Sequence, residues 1–167
     1  MDVLGIPLPA AGPLFLSALF VHVVAGLTCV VSGALAALSR KGRPLHLRSG
    51  QVYLWGLAAV FVTMAVMSAI RWRENAQLFA VGSLAFAAGL TGYLLRRRRP
   101  QLHILAMGSS YVALLTGFYV DNGPNLPLWN RLPTLAYWLL PALIGAPVIL
   151  RALARRRVRR ASATPPP

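Results

Sequence analysis

Residues 14–46 read LFLSALFVHVVAGLTCVVSGALAALSRKGRPLH, and the first 25 of them contain no Asp, Glu, Lys or Arg. A helix needs about 20 apolar residues to cross the hydrocarbon core of a bilayer, so 14–38 is long enough to span one. The run stops at Ser39-Arg40-Lys41-Gly42-Arg43. The same alternation of long apolar run and short polar stop continues along the chain. A second span is expected over 52–70, closed by Arg71-Trp72-Arg73-Glu74-Asn75, and a third over 76–95, closed by Arg96-Arg97-Arg98-Arg99-Pro100. A fourth covers 102–120 and gives way to Asp121-Asn122-Gly123-Pro124-Asn125-Leu126-Pro127, a run of turn-forming residues. The fifth, 134–150, contains Pro141 and Pro147, where a kink is expected. The fold class is therefore all-α, a polytopic membrane bundle of about five transmembrane helices. Residues 1–154 form one transmembrane domain, and 155–167 form a basic tail expected to be cytoplasmic and disordered.

Composition agrees with this placement. The 167 residues are 57% hydrophobic and 12% charged, whereas a soluble domain carries about 25% charged residues. The net charge of +14 would suggest nucleic acid if the basic residues coated a globule. They sit instead in short clusters between apolar runs, which excludes nucleic acid as a partner. Taking alternate loops as lying on alternate sides puts Arg40, Lys41, Arg43, Arg48, Arg96, Arg97, Arg98, Arg99, Arg151 and the five tail arginines together, 14 basic residues in all. Arg71, Arg73 and Arg131, only 3, fall on the other side. The positive-inside rule then places the N-terminus outside and the C-terminus in the cytoplasm of a plasma membrane. Trp72, Tyr119, Trp129 and Trp138 are expected in an outer aromatic belt, with Tyr53, Trp55 and Tyr93 nearer the inner face. Met1–Pro7 lacks the basic stretch of a cleaved signal peptide, so the N-terminus is expected to be retained.

The first four spans read as two repeated helical hairpins. Gly26, Gly33 and Arg43-Pro44-Leu45-His46 match Gly82, Gly89 and Arg99-Pro100-Gln101-Leu102-His103, at an offset of 56 that becomes 57 after one inserted residue. Tyr53 and Tyr111 each follow their histidine by about two turns. Such a parallel repeat has a pseudo-two-fold axis along the membrane normal, and it would set His46 and His103 at one depth, facing each other. Each proline suits the first turn of a helix, where its missing N–H costs nothing. A histidine in that turn is disfavoured as a cation by the helix dipole, and the neutral imidazole is the metal-binding form.

Two readings of His46 and His103 stand side by side. They are either interfacial residues without chemistry or the axial ligands of a b-type haem, which needs only two opposed histidines. The arginines around them suit haem propionates, an anionic lipid or a phosphate. His22 lies inside the first span, where an ionisable residue is costly and marks a functional site or a cross-helix hydrogen bond. With Asp121 it would make a polar or proton site. Ala25, Gly26, Cys29, Ser32, Gly33 and Ala36 continue its line as a small-residue packing seam. In the tail, Arg155, Arg156, Arg157, Arg159 and Arg160 are expected on anionic lipid headgroups. Cys29 is the one cysteine, so no thiol site can be built, and no metal is expected beyond a haem iron. With only 3 acidic residues, paired-carboxylate and Ser-His-Asp chemistry are excluded.

His22 with Gly26, Lys41-Gly42 with His46, Gly50 and Tyr53, His103 with Met107, Ser110-Tyr111 and Thr116-Gly117-Phe118-Tyr119-Val120-Asp121-Asn122-Gly123 together resemble a bacterial family of predicted membrane proteins, domain of unknown function 2306. The resemblance covers most of the chain before the tail. It implies a multi-pass membrane protein and carries no reaction and no catalytic residue. The loop histidines also resemble those of di-haem b-type cytochromes, although the second histidine pair of that pattern is missing here. Three function classes follow: a haem- or quinone-linked redox protein, a small-molecule carrier, and a non-catalytic accessory or scaffold subunit.

Overall fold

Pro44 and Pro100 each occupy the first turn of a helix, behind Arg43 and Arg99 as N-caps. Fixed φ and a dispensable N–H make proline a good first residue, so each basic loop ends where its proline stands. The computed structural model describes residues 2–3, 6–7, 12–127 and 129–161, with backbone alone at 2–3, 6–7 and 157–161. The fold is all-α, and the described residues form five helices: α1 (Pro13–Leu38), α2 (Pro44–Ile70), α3 (Trp72–Leu95), α4 (Pro100–Asn122) and α5 (Thr134–Ala161). Two 3₁₀ turns, Gly123–Asn125 and Trp129–Arg131, join α4 to α5. A two-residue antiparallel pairing, Asp2–Val3 with Ile6–Pro7, precedes α1.

All five helices are long and apolar enough to cross a membrane, the architecture of a multi-pass membrane protein. The expected spans are recovered, with longer ends. The largest difference at a helix start is α2, which begins at Pro44 rather than 52. Arg48, Ser49, Gly50 and Gln51 dilute the apolar run without breaking the helix. At the other end of the chain α5 continues through Ala161 and takes in residues 155–161 of the expected tail. Arginine and alanine are good helix formers, and cations near a helix C-terminus complement its dipole. Residues 162–167 of the expected tail lie outside the described residues.

Contacts divide the chain into two compact units, Met1–Phe79 and Ala80–Pro167. In the first, α1 packs on α2 along the small-residue seam, with Ala25, Cys29 and Ser32 buried. Gly56 is what permits the approach, because a Cβ there would stand 2.8 Å from Cys29 Sγ. The α1–α2 turn requires Gly42, at φ +82°, a left-handed conformation that glycine adopts freely. Lys41 folds back from this turn to donate to Ala36 O and Ala37 O, both at 3.0 Å, where α1 ends with unmatched carbonyls. Its partial burial lowers the ammonium pKa from the ordinary lysine value.

In the second unit, Gly92 receives Met107, Gly108 receives Ile149 and Gly145 receives Val112. These contacts seat α4 against α3 and α5. Tyr137 is buried against Gly123 and donates its hydroxyl to Trp129 O at 2.8 Å, closing the α4–α5 connection. One expected belt residue is misplaced: Tyr53 is 1% exposed, inside the α1–α2 core. Its position on α2 faces the seam at Cys29, whereas Trp55, two residues on, is 76% exposed.

Candidate functional site

The repeat can be tested contact by contact within each hairpin. His46 lies in the first turn of α2 and its Nδ1 is 2.9 Å from Ala36 O. His103 lies in the first turn of α4 and its Nδ1 is 2.8 Å from Gly92 O. Ala36 and Gly92 are 56 apart and the histidines 57 apart, so the two bonds join equivalent positions. Each accepting carbonyl belongs to the last four residues of its helix, which have no intrahelical donor. Each imidazole therefore ties the end of one helix to the start of the next.

A second bridge repeats with its polarity reversed. Cys29 Sγ donates to Tyr53 O at 3.5 Å in the first hairpin. Ser110 Oγ donates to Ala85 O at 2.8 Å in the second. Position 29 corresponds to 85 and position 53 to 110, with donor and acceptor exchanged. Tyr53 is thus the counterpart of Ser110, and both are buried. Tyr111, which sequence spacing set beside Tyr53, is half-buried and belongs one position further on.

The histidine bonds carry a chemical consequence. A carbonyl oxygen only accepts, so Nδ1 must hold the proton at both His46 and His103. In the neutral ring the lone pair then lies on Nε2, the same tautomer at both sites. Metal-ligating histidines nearly always donate their other ring N–H to a carbonyl or carboxylate in this way. Both side chains are half-buried. Arg43 and Arg99 stand at the equivalent N-caps beside them.

His22 has a partner that its own helix could not reveal. Its Nδ1 lies 3.0 Å from Thr63 Oγ1 on α2. The threonine hydroxyl directs its proton to Ala59 O at 2.8 Å or Val60 O at 3.0 Å, so it accepts from the imidazole. The repeat has Leu78 and Val120 at these two positions. That coincident loss of both polar groups was the signal in the sequence that would have paired them. Asp121, at the exposed end of α4, accepts from Asn122 Nδ2 at 3.4 Å. His22 and Asp121 belong to different units, as do His46 and His103. Arg155 and Arg156 lie on the last turns of α5, and Arg157, Arg159 and Arg160 are described by backbone alone. No cluster of three or more His, Cys, Asp or Glu suited to a metal ion occurs among the described residues. No family model, curated protein or solved structure matches the chain.

Proposed function

We propose that the chain is a redox protein of the cytoplasmic membrane in which His46 and His103 would hold one b-type haem near the cytoplasmic face. The observation that supports it is the shared tautomer: two equivalent imidazoles, each holding its Nδ1 proton on a backbone carbonyl, each with its lone pair on Nε2. Two imidazoles are a donor set that suits haem iron. Arg43 and Arg99, with Arg40 and Arg96 in the same loops, supply guanidinium groups for the propionates. When bound, a haem of this kind supplies one-electron exchange, for which quinone is a membrane-soluble partner. The protein's own contribution is to fix both rings by hydrogen bonding.

The orientation that goes with this reading has the N-terminus outside and the C-terminus in the cytoplasm, supported by the 14-to-3 division of basic residues. The test is an absorption spectrum of protein purified from haem-replete cells. A Soret band is expected; His46→Ala or His103→Ala should abolish or strongly shift it, and His22→Ala should leave it in place. About 17 residues separate His22 from Ser39, some 25 Å along the helix, too far for a shared ligand. Absence of a Soret band, with none gained on adding hemin to helical protein, overturns the haem reading in favour of a carrier or accessory subunit.

A further inference from the structure

One face of the first hairpin carries an open groove of about 510 Å³ between α1 and α2. It is lined by the exposed Thr28, Val31 and Leu35 and by the buried Ser32 and Ser49, and Arg48 stands at the end nearest the α1–α2 turn. The α1 residues that line it span 27–35, about 12 Å of helix. Arg48 lies about 6 Å along α2 from Pro44, the depth at which a span meets lipid headgroups.

In the second hairpin α5 packs beside part of the equivalent face. There Leu84, Ser109 and Val112, counterparts of Thr28, Val52 and Trp55, line a groove whose other side is formed by Trp138, Ala142 and Ile149 of α5. The fit depends on Gly108, where a Cβ would come within 2.5 Å of Ile149. In the first hairpin, position 108 corresponds to Gln51 and position 112 to the exposed Trp55. These bulky residues deny a helix the close approach that α5 makes, while a thin, flexible chain still fits between α1 and α2. The charge differs as well. Arg48 corresponds to Leu105, so the groove of the first hairpin has a cation at its mouth and the second hairpin has leucine there.

We infer that this groove is a binding site for one anionic phospholipid, with an acyl chain along Val31 and Leu35 and the phosphate on the Arg48 guanidinium. Basic groups between helices at a headgroup level recognise anionic lipids in this way. The site is separate from the histidines and stands whether or not haem binds.

Native mass spectrometry of the full-length protein in neutral detergent tests it, with dioleoylphosphatidylglycerol and dioleoylphosphatidylcholine as probes. One retained phosphatidylglycerol per chain is expected, with phosphatidylcholine held more weakly. Arg48→Gln should weaken that retention about fivefold. Thr28→Phe, at an exposed position that blocks the groove without touching Arg48, should weaken it too. Arg97→Gln, in the α3–α4 loop, should not. Equal retention of the two lipids, or retention unchanged in both groove variants, overturns the inference. So does stabilisation by inorganic phosphate alone that matches phosphatidylglycerol in a thermal-shift assay, since that would mark an anion site with no role for the chain.

Discussion

Three polar contacts at single residues hold α1 against α2: His22 with Thr63, Cys29 with Tyr53 O, and His46 with Ala36 O. The first is the one that the second hairpin replaces with leucine and valine. His22→Leu or Thr63→Val alone leaves a polar group facing an apolar partner, so each should destabilise the protein. The double variant copies the apolar residues of the repeat and should recover part of the loss, with a coupling of about 0.6 kcal/mol typical of such bonds in membranes. Strictly additive losses in a detergent-unfolding titration would show that the bond contributes nothing. Glycines offer a steric contrast. Gly56→Ala would push a methyl to 2.8 Å from Cys29 Sγ and should cost about 1–3 kcal/mol. Gly26→Ala meets nothing within 4 Å and should be near neutral. If both variants unfold at the wild-type midpoint, Gly56 does not set the helix separation.

At the scale of elements, the spans were legible because apolar runs of this length have few alternatives, and the polar stops fell close to the helix ends. What escaped was polar sequence that stays helical: residues 44–51 of α2, where Pro44 fits the first turn and Gly50 is tolerated inside the helix, and 151–161 of α5 carry charges and polar groups that hide them from an apolar-run criterion. The seam of Ala25, Cys29 and Ser32 was readable from spacing on α1 alone. Its partner surface was not, since which residue of α2 meets Cys29 depends on register, and so Tyr53 passed for a belt residue. The repeat made both histidines visible as a pair, and the structure adds their common hydrogen bond, which no spacing encodes. For α5, the basic helical end makes a separate prediction. Deleting residues 155–167 should reduce retention on anionic vesicles while leaving helical content and thermal unfolding of the remainder unchanged. Retention equal to that of the intact chain would leave the arginines as an orientation signal only.

For the whole molecule, five spans and a strongly one-sided distribution of basic residues make topology the first global expectation. A C-terminal fluorescent protein should be bright and a C-terminal alkaline phosphatase inactive; the reverse pattern would invert the assignment. The central claim is the joint ligation of one haem by His46 and His103, which asks more than haem binding. Low-temperature electron paramagnetic resonance of the oxidised, haem-loaded protein tests it most directly, because two imidazoles hold ferric haem low-spin and one alone leaves it largely high-spin. The account predicts a low-spin signal in the wild-type protein and conversion to high-spin, or loss of haem, in both His46→Ala and His103→Ala. A low-spin signal that survives either substitution would contradict it.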